Sequence, residues 1–208
     1  EMNAYFFFFF NHLRRNPNDH LLGQLVAIET EDGRLDDEEL LSFCRLLLIA
    51  GNETTTGLIT ASARIFHEEP QTLAQIKQRP ELSGTFVEEA LRYYSPFSAT
   101  VRRTTKDVEL AGQTIGAGEL VVPLIASANR DERVFDAPDT FVMERSPNPH
   151  LGMGFGIHFC LGAHLARLEG KIVVEQMAER YAQVVLANPE KAAIGDLGGP
   201  KELAVILG

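Results

Sequence analysis

Cysteine is scarce: Cys44 and Cys160 are the only two in 208 residues. So low a count gives no oxidised scaffold and no zinc-type spacing, and although one disulfide is possible in principle, both are read as reduced thiols. Long apolar runs are missing too, none approaching the roughly 18 residues that a spanning helix needs. No basic segment, hydrophobic region and small-residue cleavage site follow one another at the start, so a cytoplasmic location without a membrane partner is expected. Positive charge is in short supply, with 19 Lys and Arg against 29 Asp and Glu and a net charge of -10. That balance repels phosphate backbones and anionic lipid, and no local basic patch offsets it, so nucleic acid is not the expected partner. Internal repeats are absent, and the one low-complexity tract is Phe6 to Phe10. The remainder, 45% hydrophobic and 23% charged, has the composition of a globular chain with a core.

The first half reads as helical. Phe6 to Phe10 would make a helix apolar all round, which needs cover from another segment, and that helix ends near Asn16-Pro17. "DHLLGQLVAIE" predicts a second, short amphipathic helix, and Asp36 or Asp37 can cap the next one. That third helix runs on until Glu69-Pro70, roughly 30 residues or about 45 Å. Its middle is "LLLIAGNETTTG", where Gly51, Asn52, three threonines and Gly57 are all poor helix formers. "QTLAQIKQRPELSGTFVEEALRYYSP" predicts two further helices split at Pro80.

The period then shortens. "VELAG", "QTIGAG" and "ELVVPLI" are β-rich runs separated by glycines and read as a small hairpin sheet. The densest chemical signal follows in "HLGMGFGIHFCLGAHLARLE", His150 to Glu169. Gly152, Gly154, Gly156 and Gly162 surround Cys160, and a helix with Leu165, Leu168 and Ile172 on one face starts directly after it. Glycines let a large flat ligand approach the backbone, and a cysteine at a helix N-terminus has its thiolate stabilised by the helix dipole and by unpaired N–H donors. A thiolate so held is a good metal ligand, here Cys160.

"GMGFGIHFCLG" resembles the haem-binding loop of the cytochromes P450. The resemblance implies a mostly α fold with a small β part, corresponding to the C-terminal portion of that family's fold. It implies haem b with the Cys160 thiolate as axial ligand, His158 on a propionate, and Gly154 and Gly162 as glycines of the cofactor loop; Met153 stands where phenylalanine is usual. "EEALR" is similar to the family's Glu-x-x-Arg motif, and "APDTFVMERS" to the segment with a second arginine, so that Glu89, Arg92 and Arg145 are expected to form a buried network steadying the cysteine loop. Arg102 matches a propionate-binding arginine, with Arg103 as the possible substitute. "AGNETT" resembles the distal-helix motif, in which the small Ala50-Gly51 pair passes over the haem with locally loosened hydrogen bonds, and Glu53 and Thr54 relay protons to dioxygen. Thr55 is read as bonding back to its own helix.

What the resemblance implies is a monooxygenase of bacterial type that inserts one oxygen atom into a small apolar organic substrate. Its electrons come from a ferredoxin or reductase, and indirectly from NAD(P)H. A basic patch of Arg133, Arg167 and Lys171 is the expected docking place for that donor. The likeness covers nearly the whole chain but only the C-terminal half of the family's fold. The chain is therefore expected to be a single haem-binding domain, residues 1–208, lacking the N-terminal half, with that half or a second copy of the chain as a further partner. The alternative is a truncated, non-catalytic haem-binding or partner-binding half domain, and haem-thiolate chemistry without oxygen activation stands third.

Overall fold

A computed structural model describes residues 2–30, 33–189 and 203–208. The chain divides into two compact units, Glu1–Asn52 and Glu53–Gly208.

In the first unit, helices α1 (Met2–Arg15) and α2 (Leu21–Ala27) and a two-residue hairpin, β1 (Glu29–Thr30) with β2 (Gly33–Arg34), lead into α3 (Asp37–Glu68). Phe6, Phe10 and Leu13 recur at helical spacing on α1 and are buried against Leu25 and Val26 of α2 and Leu40, Leu41 and Cys44 of α3. The phenylalanine run is thus a core helix covered on one side, while Phe8 stays 70% exposed. Asp36 caps α3: its Oδ1 accepts the Glu39 N–H at 2.8 Å, and Glu39 Oε2 accepts the Asp36 N–H at 2.9 Å. This reciprocal box satisfies two otherwise orphaned donors and decides between the two candidate caps.

Helix α3 runs from Asp37 to Glu68 straight through "AGNETT". The weak propensities there, fractions of a kcal/mol per residue, are outweighed by the helix to either side. Asn52 Nδ2 donates back to the Leu48 carbonyl at 2.9 Å. Gly57 has a packing reason, because an added Cβ would lie 2.9 Å from Pro96 Cβ.

The second unit packs the rest of α3 with α4 (Gln71–Gln78), α5 (Leu82–Tyr93) and, after the β segments, α7 (Ala163–Arg180). Phe66 of α3 stacks on Phe86 of α5 at 5.0 Å, and Phe86 meets Phe141 edge-on at 5.4 Å. Helix α7 does not bury the face its leucines suggest. Leu165, Leu168 and Ile172 are exposed, and Ala163, Gly170, Val174 and Ala178 are buried instead. Close approach is the cause: a Cβ on Gly170 would come within 2.8 Å of Leu58 Cδ2 and 3.2 Å of Val87 Cγ2. Only small side chains fit that crossing.

Of the three β runs, β4 (Val108–Leu110) and β5 (Gln113–Ile115) form the expected hairpin. Ala111 and Gly112 between them both have positive φ, 49° and 77°, as a type I′ turn demands. The third run departs from the expected sheet: β6 (Leu120–Val121) pairs antiparallel with β3 (Arg102–Arg103). A short helix α6 (Ile125–Ala128) follows, and β7 (Val184–Leu186) pairs with β8 (Val205–Leu207) after α7. No helix among the described residues is long and apolar enough to cross a membrane.

Gly170→Val should lower unfolding stability by ~2 kcal/mol, the cost of overfilling a packed crossing. Gly84→Ala, on a face of α5 where nothing lies within 4 Å, should raise it by ~1 kcal/mol through helix propensity alone. Urea titrations of both variants measure the two shifts.

Candidate functional site

The three residues expected to form a network do meet. Glu89 and Arg92 are fully buried on α5, with Arg92 Nη2 donating to Glu89 Oε1 at 2.7 Å and Nε to Oε2 at 2.8 Å. The other three guanidinium hydrogens go to backbone carbonyls: Nη1 to Asn129 at 2.9 Å and Pro138 at 2.7 Å, and Nη2 to Thr140 at 3.0 Å. All five donors of an arginine are therefore used, the condition for burying the charge. Arg145 Nε reaches Glu89 Oε1 at 3.0 Å, and its Nη atoms bond the Asp136, Ala137 and Thr140 carbonyls. Glu89 also accepts from the Val142 N–H at 2.9 Å and Asn148 Nδ2 at 3.1 Å. One carboxylate and two guanidiniums thus fix the irregular chain from Asn129 to Asn148.

That fixed segment delivers the cysteine loop. Arg92's carbonyl accepts from Ser95 Oγ at 2.9 Å, Ser95 Oγ accepts from Asn129 Nδ2 at 2.8 Å, and Asn129 Oδ1 accepts the Leu151 N–H at 2.7 Å. Ser95 and Asn129 are buried, and sequence reasoning passed over both. A buried asparagine carries no local signal; only its position against Leu151 reveals it.

The loop itself closes through its backbone. The Cys160 N–H donates to the Met153 carbonyl at 2.8 Å, and the Gly154 N–H to the Leu151 carbonyl at 2.9 Å. Gly154 has φ 75°, and a Cβ there would lie 2.7 Å from the His158 carbonyl oxygen, so glycine is needed for the turn as well as for access. Met153 is buried in the core. His158 closes a 3-10 turn, Gly156–His158, on the exposed side, and Gly162 is the N-cap of α7. Cys160 and Cys44 are both free, Cys44 buried in the first unit and Cys160 exposed in the second. Burial pushes the Cys44 thiol up from its usual value. Around Cys160, Phe155 is 82%, Ile157 97% and Leu161 71% exposed.

This surroundings fit a flat apolar macrocycle. Among the described residues no group of three or more His, Cys, Asp or Glu is placed to hold a bare ion. A single exposed sulfur framed by exposed apolar side chains suits a metal that arrives with its own equatorial donors.

Other candidates are placed as follows. Ala50 and Gly51 are exposed on α3 in the first unit, and a Cβ on Gly51 would meet nothing within 4 Å. Glu53 is exposed and Thr54 half-buried on α3 in the second unit. Thr55 corrects its expectation: its hydroxyl donates to Glu169 Oε2 on α7 at 3.2 Å rather than to its own helix. Arg102 is exposed on β3, with Nη1 donating to Thr100 Oγ1 and the Val101 carbonyl, both at 2.9 Å. Arg103 spends Nη1 on the Gly118 carbonyl at 2.5 Å, and neighbours on a strand face opposite ways. The expected basic patch is also corrected, because each cation faces a carboxylate: Arg133 with Asp131 at 2.5 Å, Arg167 with Glu88 at 2.6 Å and Lys171 with Glu175 at 3.8 Å.

Arg92→Leu leaves Glu89 with Arg145 as its one charged partner and the Asn129, Pro138 and Thr140 carbonyls short of their donor, and should cost about 3–5 kcal/mol. Arg79→Leu, which removes exposed pairs with Glu81 and Glu144, should leave the urea midpoint nearly unchanged.

The family model described as "Cytochrome P450" matches residues 63–192. The chain is 45% identical over 180 residues to Cytochrome P450 109 of Bacillus spizizenii, covering 86% of this chain and 43% of that protein. It is 46% identical over 190 residues to Cytochrome P450 119 of Sulfolobus acidocaldarius, covering 91% and 51%. The crystal structure of CYP109E1 from Bacillus megaterium in complex with testosterone superposes with a TM-score of 0.91 at 39% identity, covering 99% of this chain and 58% of that one. The chain spans about half the length of the curated relatives it matches. Its buried Glu89–Arg92 pair, its glycine-bounded Cys160 loop and these matches together make it a member of the cytochrome P450 family.

Proposed function

We propose that this chain carries the haem-thiolate centre of a monooxygenase that inserts one atom of dioxygen into a small apolar organic substrate, with electrons passed from NAD(P)H through a ferredoxin or reductase. The observation that carries the reading is the exposed Cys160 sulfur on a loop pinned at the Met153 carbonyl and bordered by exposed Phe155, Ile157 and Leu161. Haem, when bound, supplies a redox-active iron whose thiolate ligand pushes electron density toward O–O cleavage.

The chain's own residues do the rest. Cys160 would hold the metal through sulfur, and the exposed His158 and Arg102 would pair with the carboxylates at the macrocycle's edge. Gly154 and Gly162 keep side chains out of the way of a flat ligand. Exposed Glu53 exchanges protons with solvent, and the half-buried Thr54 hydroxyl, donor and acceptor at once, hands them on. Glu169 ties the next residue, Thr55, to α7 and so holds this stretch of α3 over the helix that follows the cysteine. An apolar substrate agrees with the relative crystallised with testosterone. The specific substrate and electron donor are set by surfaces outside these contacts.

A second reading, a non-catalytic haem-binding or partner-binding module, is favoured by the exposed Leu165, Leu168 and Ile172 on one face of α7. Carbon monoxide added to the reduced, haem-loaded protein tests for the haem-thiolate centre, and product formation with an electron donor then separates the catalytic reading from mere haem binding. The catalytic reading expects the red-shifted Soret band of thiolate ligation, abolished by Cys160→Ala, and protein that takes up no haem leaves only partner binding. Thr54→Ala should lower product formed per electron consumed several-fold, as loss of a positioned proton donor does; unchanged coupling would sink the relay.

A further inference from the structure

Glu88 and Glu89 are adjacent on α5 and, being about 100° apart around the helix, serve different surroundings. Glu89 is consumed by the Asn129–Asn148 segment. Glu88 faces the two ends of the cysteine loop. At the entry, the His150 side chain is only 3% exposed and its Nε2 lies 3.1 Å from Glu88 Oε2. The Gly152 N–H donates to His150 Nδ1 at 3.1 Å, so Nδ1 is the acceptor and Nε2 carries the hydrogen that Glu88 accepts. At the exit, on the second turn of α7, Arg167 Nε donates to Glu88 Oε1 at 2.6 Å and Nη2 to Oε2 at 2.9 Å. This is the bidentate fork that fixes direction as well as distance.

The surroundings leave the entry little room. A Cβ on Gly152 would lie 2.9 Å from the Leu91 carbonyl oxygen, so the backbone here runs hard against α5. Burial raises the Glu88 carboxyl, but the hydrogen bonds from His150 and Arg167 outweigh it and hold the group at about 2. Arg167 is raised first by its bond to Glu88, against a smaller opposing effect of burial, and further by the charges of Glu88 and Cys160.

We propose that Glu88 is a positioning residue that clamps both ends of the Cys160 loop to α5, through His150 at its entry and Arg167 at its exit, and so sets where the sulfur stands. Glu88 touches neither the sulfur nor a ligand; it acts through two side chains that bracket the loop. The consequence for metal ligation rests on the haem-thiolate reading, whereas the clamp itself is measured without haem.

The test compares the haem-free full chain with Glu88→Gln, which keeps shape and removes charge, and with the conservative Glu88→Asp. Amide hydrogen exchange is followed by mass spectrometry, and alkylation of Cys160 by iodoacetamide is read on its own peptide, apart from buried Cys44. Glu88→Gln should speed exchange across residues 150–162 about tenfold, the loss expected when hydrogen bonds between ions are weakened. It should change the Cys160 alkylation rate several-fold while α3 and α4 exchange as in the parent, and Glu88→Asp should fall between. If Glu88→Gln does not fold, Arg167→Gln opens the same clamp from the other side and is read the same way. Parent-like exchange in the loop, or exchange raised equally along α3, α4 and α5, overturns the proposal. A parent chain that shows the thiolate spectrum while Glu88→Gln leaves the loop unaltered refutes the clamp alone. A loosened loop in a chain that takes up no haem refutes the haem reading and leaves the clamp standing.

Discussion

The course of the irregular chain from Asn129 to Asn148 depends on one buried ion pair. Glu89 and Arg92 have no exposed surface, and two charges in the interior cost several kcal/mol each unless every donor and acceptor is met. They are met by the backbone carbonyls of Asn129, Pro138 and Thr140 and by Arg145, Val142 and Asn148. The requirement acts in both directions. The pair is tolerable only if that stretch of chain folds around it, and the stretch, which has no regular hydrogen-bond ladder, takes one course because the pair needs those carbonyls.

From that anchor the order passes to the sulfur in short steps. Ser95 and Asn129 carry it to Leu151, backbone bonds carry it through Met153 to Cys160, and the loop ends at Gly162, where α7 begins. The thiol is left exposed while its main chain is held. A ligating atom on a rigid backbone costs little to order when the metal arrives, which is the value of preorganisation. Arg167, on the helix that follows the loop, is itself held by Glu88 from α5.

Much of the fold was legible because its causes are local. The end of α3 follows from Pro70 and the β4–β5 hairpin from a glycine between two β-rich runs, while the cap of α3 was narrowed to Asp36 or Asp37 and settled by the bonds between Asp36 and Glu39. The Glu89–Arg92 contact was legible as a one-turn spacing on a helix. Failures came where two distant segments meet. Leu165, Leu168 and Ile172 lie on one face of α7, but which face is buried was not legible: the helix approaches Leu58 of α3 and Val87 of α5 so closely at Gly170 that no side chain fits there. Arg133, Arg167 and Lys171 read as a basic patch, yet each faces a carboxylate: Asp131 and Glu175 lie two and four residues along the chain, whereas Glu88, the partner of Arg167, comes from a distant segment.

By itself the sequence determined the helices, their caps and breaks, the glycine-bounded cysteine loop and the Glu-x-x-Arg pair, because each is written in residues within a turn or two of one another. Tertiary structure alone decided which face of α7 is buried, that Thr55 answers to Glu169, and that Glu88 gathers His150 and Arg167. The physical reason is that these contacts join segments far apart in the chain, and their partners are selected by packing distance and by the need to satisfy buried charge, neither of which has a period that a linear pattern can carry.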